Sequence, residues 1–203
     1  MTSLRHNGDR PASEPNPRDG YLDAARDCIL DLGWRRTTLT EVARRAGVSR
    51  MTIYRSWSDM QQLLGDLMTR EWAGVVAATV ADEDPAASTV DRLVGDIVGT
   101  VRTLRDNELF LRIVELDPEL LLPYLLARRG RSQDAILAMV AETIRRGQEA
   151  GEVRAGNPVA MARGLVLAAH GFVLSTHTMV DEEAAEADLD DELTLLLTRA
   201  LRP

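Results

Sequence analysis

Cysteine occurs once in this chain of 203 residues, at Cys28, and lysine does not occur at all. A lone thiol excludes an intrachain disulfide and fits a reducing cytosol. No apolar run reaches about 18 residues free of charge, so no membrane span is expected. The first residues lack the apolar core of a signal peptide. No segment alternates with period 2, which leaves an all-α fold, and no repeat of solenoid length is found. A P-loop, a G-x-G-x-x-G after a strand, a G-x-S-x-G and paired-cysteine zinc spacing are all missing. The histidines are His6, His170 and His177. The last two stand two helical turns apart, roughly 10 Å, too far for one metal ion. An enzyme, a cofactor or a metal site therefore has no support in the sequence.

What is present is unevenly charged. The whole chain carries a net charge of −8, which argues against general polyanion binding. Residues 33–58 reverse that sign, with six arginines (Arg35, Arg36, Arg44, Arg45, Arg50, Arg55) against Glu41 alone. A local basic stretch in an acidic chain is the footprint of a nucleic-acid-binding segment.

The same stretch reads as two short helices joined by a turn, with a third beginning behind them. Thr38 and Glu41 fit a capping box. Leu39, Val42, Ala43 and Ala46 then form one apolar face. Gly47 follows, where a helix end favours positive φ. Ser49 caps a second helix over Arg50–Trp57. Ser58 with Gln61 suggests another capping box for the third. Helix, glycine turn, helix is the helix-turn-helix pattern. In the second helix Val48, Ile53 and Trp57 face inward. Arg50, Met51, Tyr54 and Arg55 share the other face, with Thr52 at its edge. Arginine can pair bidentately with guanine, and hydroxyls can hold phosphate.

Residues 33–57 closely resemble the helix-turn-helix of the TetR family of bacterial transcriptional regulators. The matching landmarks are Gly33, Thr37-Thr38, Val42-Ala43, Ala46-Gly47-Val48-Ser49, Thr52-Ile53-Tyr54, Trp57 and Leu63-Leu64. The resemblance covers about a quarter of the chain. In one place the sequence departs from it. Met60 stands where the family usually has a lysine, so phosphate contact at that helix start would rest on backbone N–H groups and the helix dipole.

The remainder supplies helices. Met1–Pro15 is polar and aperiodic and reads as a disordered arm. The other reading is an arm reaching a groove through Arg5, Arg10 and Arg18. Asn16-Pro17 opens a helix whose stripe holds Tyr21, Ala25, Cys28, Ile29 and Leu32, and Cys28 reads as a buried small hydrophobe. A long helix follows over 61–80, where Trp72 fits either a cavity wall or core packing. Asp84-Pro85, Asp117-Pro118 and Asn157-Pro158 each pair a cap with proline at the first helical position. They are expected to open helices over 86–105, 119–150 and 159–178, the second kinked near Arg128-Arg129-Gly130-Arg131. A short helix spans Asn107–Leu116. Residues 159–174 carry only Arg163 as charge, so that helix needs partners on several sides. Residues 181–192 hold eight acids and no base and read as a solvated loop. An apolar stripe over 188–201 follows.

The expectation is a disordered arm (1–15), a three-helix helix-turn-helix domain (16–66) and a helical ligand-binding and dimerisation domain (67–203). DNA contact is assigned to Thr38, Thr40, Arg50, Met51, Thr52, Tyr54 and Arg55. Arg50 is set against base edges, and Arg55 against a base or a phosphate. Met51 packs on a thymine methyl or fills space. Dimerisation is assigned to Gly164, Gly171, Leu193 and Leu197. The resemblance implies a pocket in the body, and Trp72, Phe110, Met139 and His170 are its candidate walls. It also implies a cytoplasmic homodimeric repressor that covers a palindromic operator on double-stranded DNA and leaves when a small, mostly hydrophobic effector binds. Two further readings stay open. One is a DNA-binding regulator without a ligand, controlled by abundance or a protein partner. The other is a helical enzyme or carrier with an incidental helix-turn-helix.

Overall fold

Every regular element among the residues described by the computed structural model, 16–80 and 87–203, is helical. The order is α1 (Pro17–Leu32), α2 (Leu39–Arg45), α3 (Arg50–Ser56), α4 (Met60–Val80), α5 (Thr89–Arg105), α6 (Glu108–Leu116), α7 (Leu122–Leu126), α8 (Arg131–Glu149), α9 (Pro158–Ser175) and α10 (Glu186–Leu201). Short 3-10 turns lie at Trp34–Arg36, Pro118–Leu120 and Thr176–Thr178. The expected arm over 1–15 and the Asp84-Pro85 cap lie outside the described residues.

Several starts and stops follow the local chemistry. Asn16 accepts the Arg18 N–H at 3.1 Å, and Gly33 ends α1 at φ 80°. Gly47 turns the chain from α2 to α3 at φ 67°. Asn107 caps α6 and Asn157 caps α9. Others differ from the expectation. Thr38 does accept the Glu41 N–H at 3.2 Å, but the Glu41 carboxylate turns to Arg44 at 2.6 Å. An arginine three residues on offers a charged donor where the backbone N–H offers a neutral one. The cap of α4 is Asp59 rather than Ser58, with Asp59 Oδ1 accepting the Gln62 N–H at 2.8 Å. Helix α5 begins at Thr89 on a Ser88 cap, not at 86. The run over 119–150 is broken rather than kinked. Pro118 opens only a 3-10 turn, α7 lasts five residues, and α8 starts afresh at Arg131.

Two apolar cores hold these helices. One joins Leu22, Ala25, Cys28 and Ile29 of α1 to Leu39, Val42, Ile53, Trp57, Leu63 and Leu67. Leu109 and Ile113 of α6 are part of it, so the head packs directly on the body. Cys28 is fully buried there, and burial pushes its thiol pKa up, which keeps it inert. The other core gathers Val90, Val94, Val98 and Val101 of α5, Val140 and Ile144 of α8, Ala162 and Leu165 of α9, and Leu193, Leu197 and Leu201 of α10.

The acidic block is not a loop throughout, because α10 begins at Glu186. Asp190 is buried and pairs with Arg102 and Arg105, each at 2.6 Å. The bases that offset this carboxylate come from α5, 85 and 88 residues away, where no local charge count finds them.

Polar bonds also tie head to body. Asp117, 3% exposed, accepts the Trp34 N–H at 3.0 Å. Its role is to cap a distant turn rather than the helix after it. Arg35 reaches Glu119 at 2.7 Å, and Arg26 reaches Glu71 at 3.6 Å and Glu108 at 3.4 Å.

Candidate functional site

Helix α3 is seven residues long, too short to be stable in water alone. It exists because Ser49 Oγ accepts the Thr52 N–H at 3.2 Å and because Ile53 and Trp57 are buried beneath it. That packing fixes which face remains outside. Arg50 and Arg55 are exposed there, with Met51 at 66% and Tyr54 at 50%. Two large side chains left in water on so small a helix mark a surface made to be covered.

The six arginines of residues 33–58 are not equivalent. Arg44 is bonded to Glu41 at 2.6 Å, and this bond holds the Glu41 carboxyl below its usual range. Arg45 is bonded to Asp31 at 2.5 Å. Arg35 is taken by Glu119, and Arg36 donates to the Leu32 carbonyl at 2.9 Å. Arg50 and Arg55 alone among the six have no hydrogen bond or ion pair with the described residues. Arg36 keeps its charge on a carbonyl bond, and the two guanidinium groups free of any bond both lie on the outward face of α3. A free guanidinium meets a phosphate or a guanine edge without first giving up another partner.

The hydroxyl positions are more constrained. Thr52 Oγ1 lies 2.9 Å from Ser49 Oγ and shares in the cap. Thr38 is exposed and caps α2, and Thr40 is half-buried. The start of α4 does not offer the anion site expected of it. The Gln62 N–H is taken by Asp59 and the Ser58 N–H by Gln62 Oε1 at 2.8 Å. The backbone bond from Gln62 and the Ser58 hydroxyl hold the Asp59 carboxyl low, so a negative charge stands where a phosphate would approach.

In the body, Trp72 and Phe110 meet edge to face with ring centroids 5.8 Å apart. No hydrogen bond or ring contact joins Met139 or His170 to them. Met139 stands 46% exposed on α8. His170 is partly buried on α9, and burial lowers its pKa, favouring the neutral ring. A cleft of 410 Å³ opens where α4 meets the corner between α5 and α6. Its walls are Arg70, Glu71, Gly74, Val75, Thr103 and Asn107, none of them among the four candidate walls named from the sequence. Among the described residues no group of three metal-ligating side chains comes together.

The dimerisation candidates divide. Leu193 and Leu197 are 0% and 2% exposed and belong to the chain's own core, so they are withdrawn from the outer surface. Leu195 and Leu196 take the outward positions on α10. Gly164 and Gly171 are exposed on α9, and a Cβ built on either meets nothing within 4 Å. Leu167 beside them is 69% exposed. Pro158–Thr178 is long and apolar enough to cross a membrane, and only 17% of its most apolar window is buried. Yet Ala162 and Leu165 seat it on the second core.

An all-helical body behind a helix-turn-helix that keeps two arginines free on its second helix is the build of a transcriptional regulator. The comparisons agree. Residues 22–67 match the family model for bacterial regulatory proteins of the tetR family. An uncharacterized HTH-type transcriptional regulator of Mycobacterium tuberculosis is 34% identical over 173 residues, 85% of this chain and 88% of the relative. Among solved structures, the fatty acid degradation regulator FadR from Bacillus halodurans aligns with a TM-score of 0.66 at 18% identity, covering 92% of this chain and 97% of that one. SmeT, a repressor from Stenotrophomonas maltophilia solved in complex with triclosan, aligns at 0.61 with 23% identity, covering 92% of each. The chain belongs to the TetR family of bacterial transcriptional regulators. It is a regulator and not an enzyme.

Proposed function

We propose that this regulator is a cytoplasmic homodimer that represses by covering an inverted-repeat operator, and that a small, mostly hydrophobic effector releases it. The observation that carries the DNA part is the pair of unpaired arginines on α3. Dimerisation is supported by the outward apolar face of α9, with Val159, Gly164, Leu167 and Gly171 exposed together. A helix this apolar and this little buried calls for a further partner. The same face on a second copy is self-complementary about a twofold axis. Two α3 helices related by that axis would enter successive major grooves about 34–36 Å apart. The effector part is supported by the shared fold, which accommodates triclosan in SmeT.

Selection of bound duplexes from a random library on purified protein tests the reading. An inverted repeat is expected, along with a dimer in sedimentation at micromolar concentration. Recovered sequences without twofold symmetry, or a monomer, would overturn it. Control by abundance or a protein partner remains the second reading. It would be favoured by a chain that no apolar compound releases from the selected site.

A further inference from the structure

Four elements of the fold meet at one carboxylate, that of Asp66 on α4. It accepts the Trp57 indole N–H at 2.8 Å. It also accepts from Arg18 of α1 and from Arg131, the first residue of α8. Trp57 is held on other sides as well. The Arg18 guanidinium lies 4.7 Å over its ring, and Tyr21 meets the ring edge-on with centroids 6.4 Å apart. Trp57 in turn terminates α3, its backbone N–H closing on the Ile53 carbonyl at 3.0 Å. A ring fixed at its nitrogen, face and edge does not rotate, so the helix it ends cannot swing freely. Burial works to raise the Asp66 pKa, but the bonds from Trp57 and Arg131 and the charges of Arg18 and Arg131 outweigh it. The group stays anionic and able to hold three donors.

We infer that Asp66 is the positioning residue of the recognition helix, and that Arg131 makes its hold depend on where α8 stands. The inference rests on the reading of α3 as the helix that enters DNA. Helix α8 is a rod anchored in the second core by Val140 and Ile144. Its first residue crosses to the head by a single ion pair. The Arg131 side chain is 74% exposed, whereas that of Asp66 is 19% exposed. An exposed pair contributes little to stability, so it opens and closes at small cost. That suits a contact that reports position rather than one that holds the fold together. When α8 withdraws, Asp66 keeps two of its three donors and its carboxylate is free to settle toward Arg18. The Trp57 bond then lengthens, and the end of α3 loosens. Any ligand that favours one position of α8 thereby shifts the population of α3 orientations.

Hydrogen exchange of the full-length chain tests this without DNA. Arg131→Ala is expected to speed exchange of the α3 amides about two- to fivefold, the range an exposed ion pair can supply. Exchange in α9 and α10 should be unchanged. Arg131→Lys should restore the wild-type rates, since it returns the charge. Asp66→Asn, which keeps an acceptor for Trp57 but loses the ion pairs, should match or exceed Arg131→Ala. Faster exchange confined to the first turn of α8, with α3 unmoved, would overturn the inference. Because Arg131 is a surface side chain, its alanine variant carries the test even if Asp66 variants fail to fold. Titration of the same variants on a library-selected duplex keeps the two readings apart. Faster α3 exchange with unchanged affinity would fault the assignment of α3 to DNA and leave the Asp66 linkage standing.

Discussion

Leu197→Arg is expected to abolish the folded protein, whereas Leu167→Arg combined with Leu196→Arg should leave it folded and monomeric. The two outcomes differ because of which way each leucine points. Leu197 is 2% exposed, in a core with Val94, Val98, Leu193 and Leu201. Losing a buried leucine costs about 2–5 kcal/mol. Placing an unpaired guanidinium there adds several kcal/mol of desolvation. Together these approach the roughly 5–15 kcal/mol that holds a typical domain. Leu167 and Leu196 are 69% and 54% exposed, so a charge at either meets water in the single chain. Surface changes of that kind usually fall within about 0.5 kcal/mol. In a dimer built on α9 and α10 the same charges would face each other across a twofold axis. Circular dichroism and sedimentation on both variants read the result. A helical, soluble Leu197→Arg chain would contradict the core assignment, and a dimeric double variant would contradict the interface.

Arg50→Ala is expected to lower affinity for the selected operator by roughly 1–3 kcal/mol and to relax preference at one base step in each half-site. Arg50 begins α3, is exposed, and has no partner to release it from. Tyr54→Phe removes one hydroxyl from the flank of the helix and should weaken all sequences nearly alike. Titration of each variant against the operator and a scrambled duplex separates the two roles. Equal losses of Arg50→Ala on both duplexes would remove the base-reading assignment. Arg55, on the same face and equally free, is open to either role, and the same pair of duplexes decides it.

What was legible in the sequence is what local chemistry decides. Thr38, Gly47 and Ser49 place the helix-turn-helix because a cap or a turn acts within a few residues. Cys28 reads as core because its neighbours on the stripe are apolar. What was not legible depends on partners far along the chain. Asp117 looks like a cap for the helix after it, yet its buried carboxylate goes to the Trp34 N–H. Asp190 looks like one more charge in an acid block, yet Arg102 and Arg105 draw it into the core. Asp66 carries no local signal at all, since two of its three donors come from 48 and 65 residues away. Leu193 and Leu197 were correctly placed on an apolar stripe. Periodicity shows that a face is apolar but cannot tell whether the chain itself or a second copy covers it. The outward assignment therefore passes to Leu195 and Leu196 on α10, and on α9 to Leu167 beside Gly164 and Gly171.

The local pairing of Arg35, Arg44 and Arg45 bears on how the head would behave on DNA at large. An arginine that arrives with its own carboxylate displaces few counterions from a duplex, because its charge is already spent. Three cations per head without a carboxylate, Arg36, Arg50 and Arg55, or six per dimer, give a slope of log affinity against log salt of about −5, where all six per head would give about −11. A shallow slope means a weak grip on random duplex and little sliding along it. The acidic remainder of the chain deepens this by repelling the backbone. What affinity remains is then earned mainly at base edges, and occupancy follows the ratio of specific to non-specific binding across the genome. Such a regulator would be sparing in where it settles and tolerant of changes in the ionic strength of the cell.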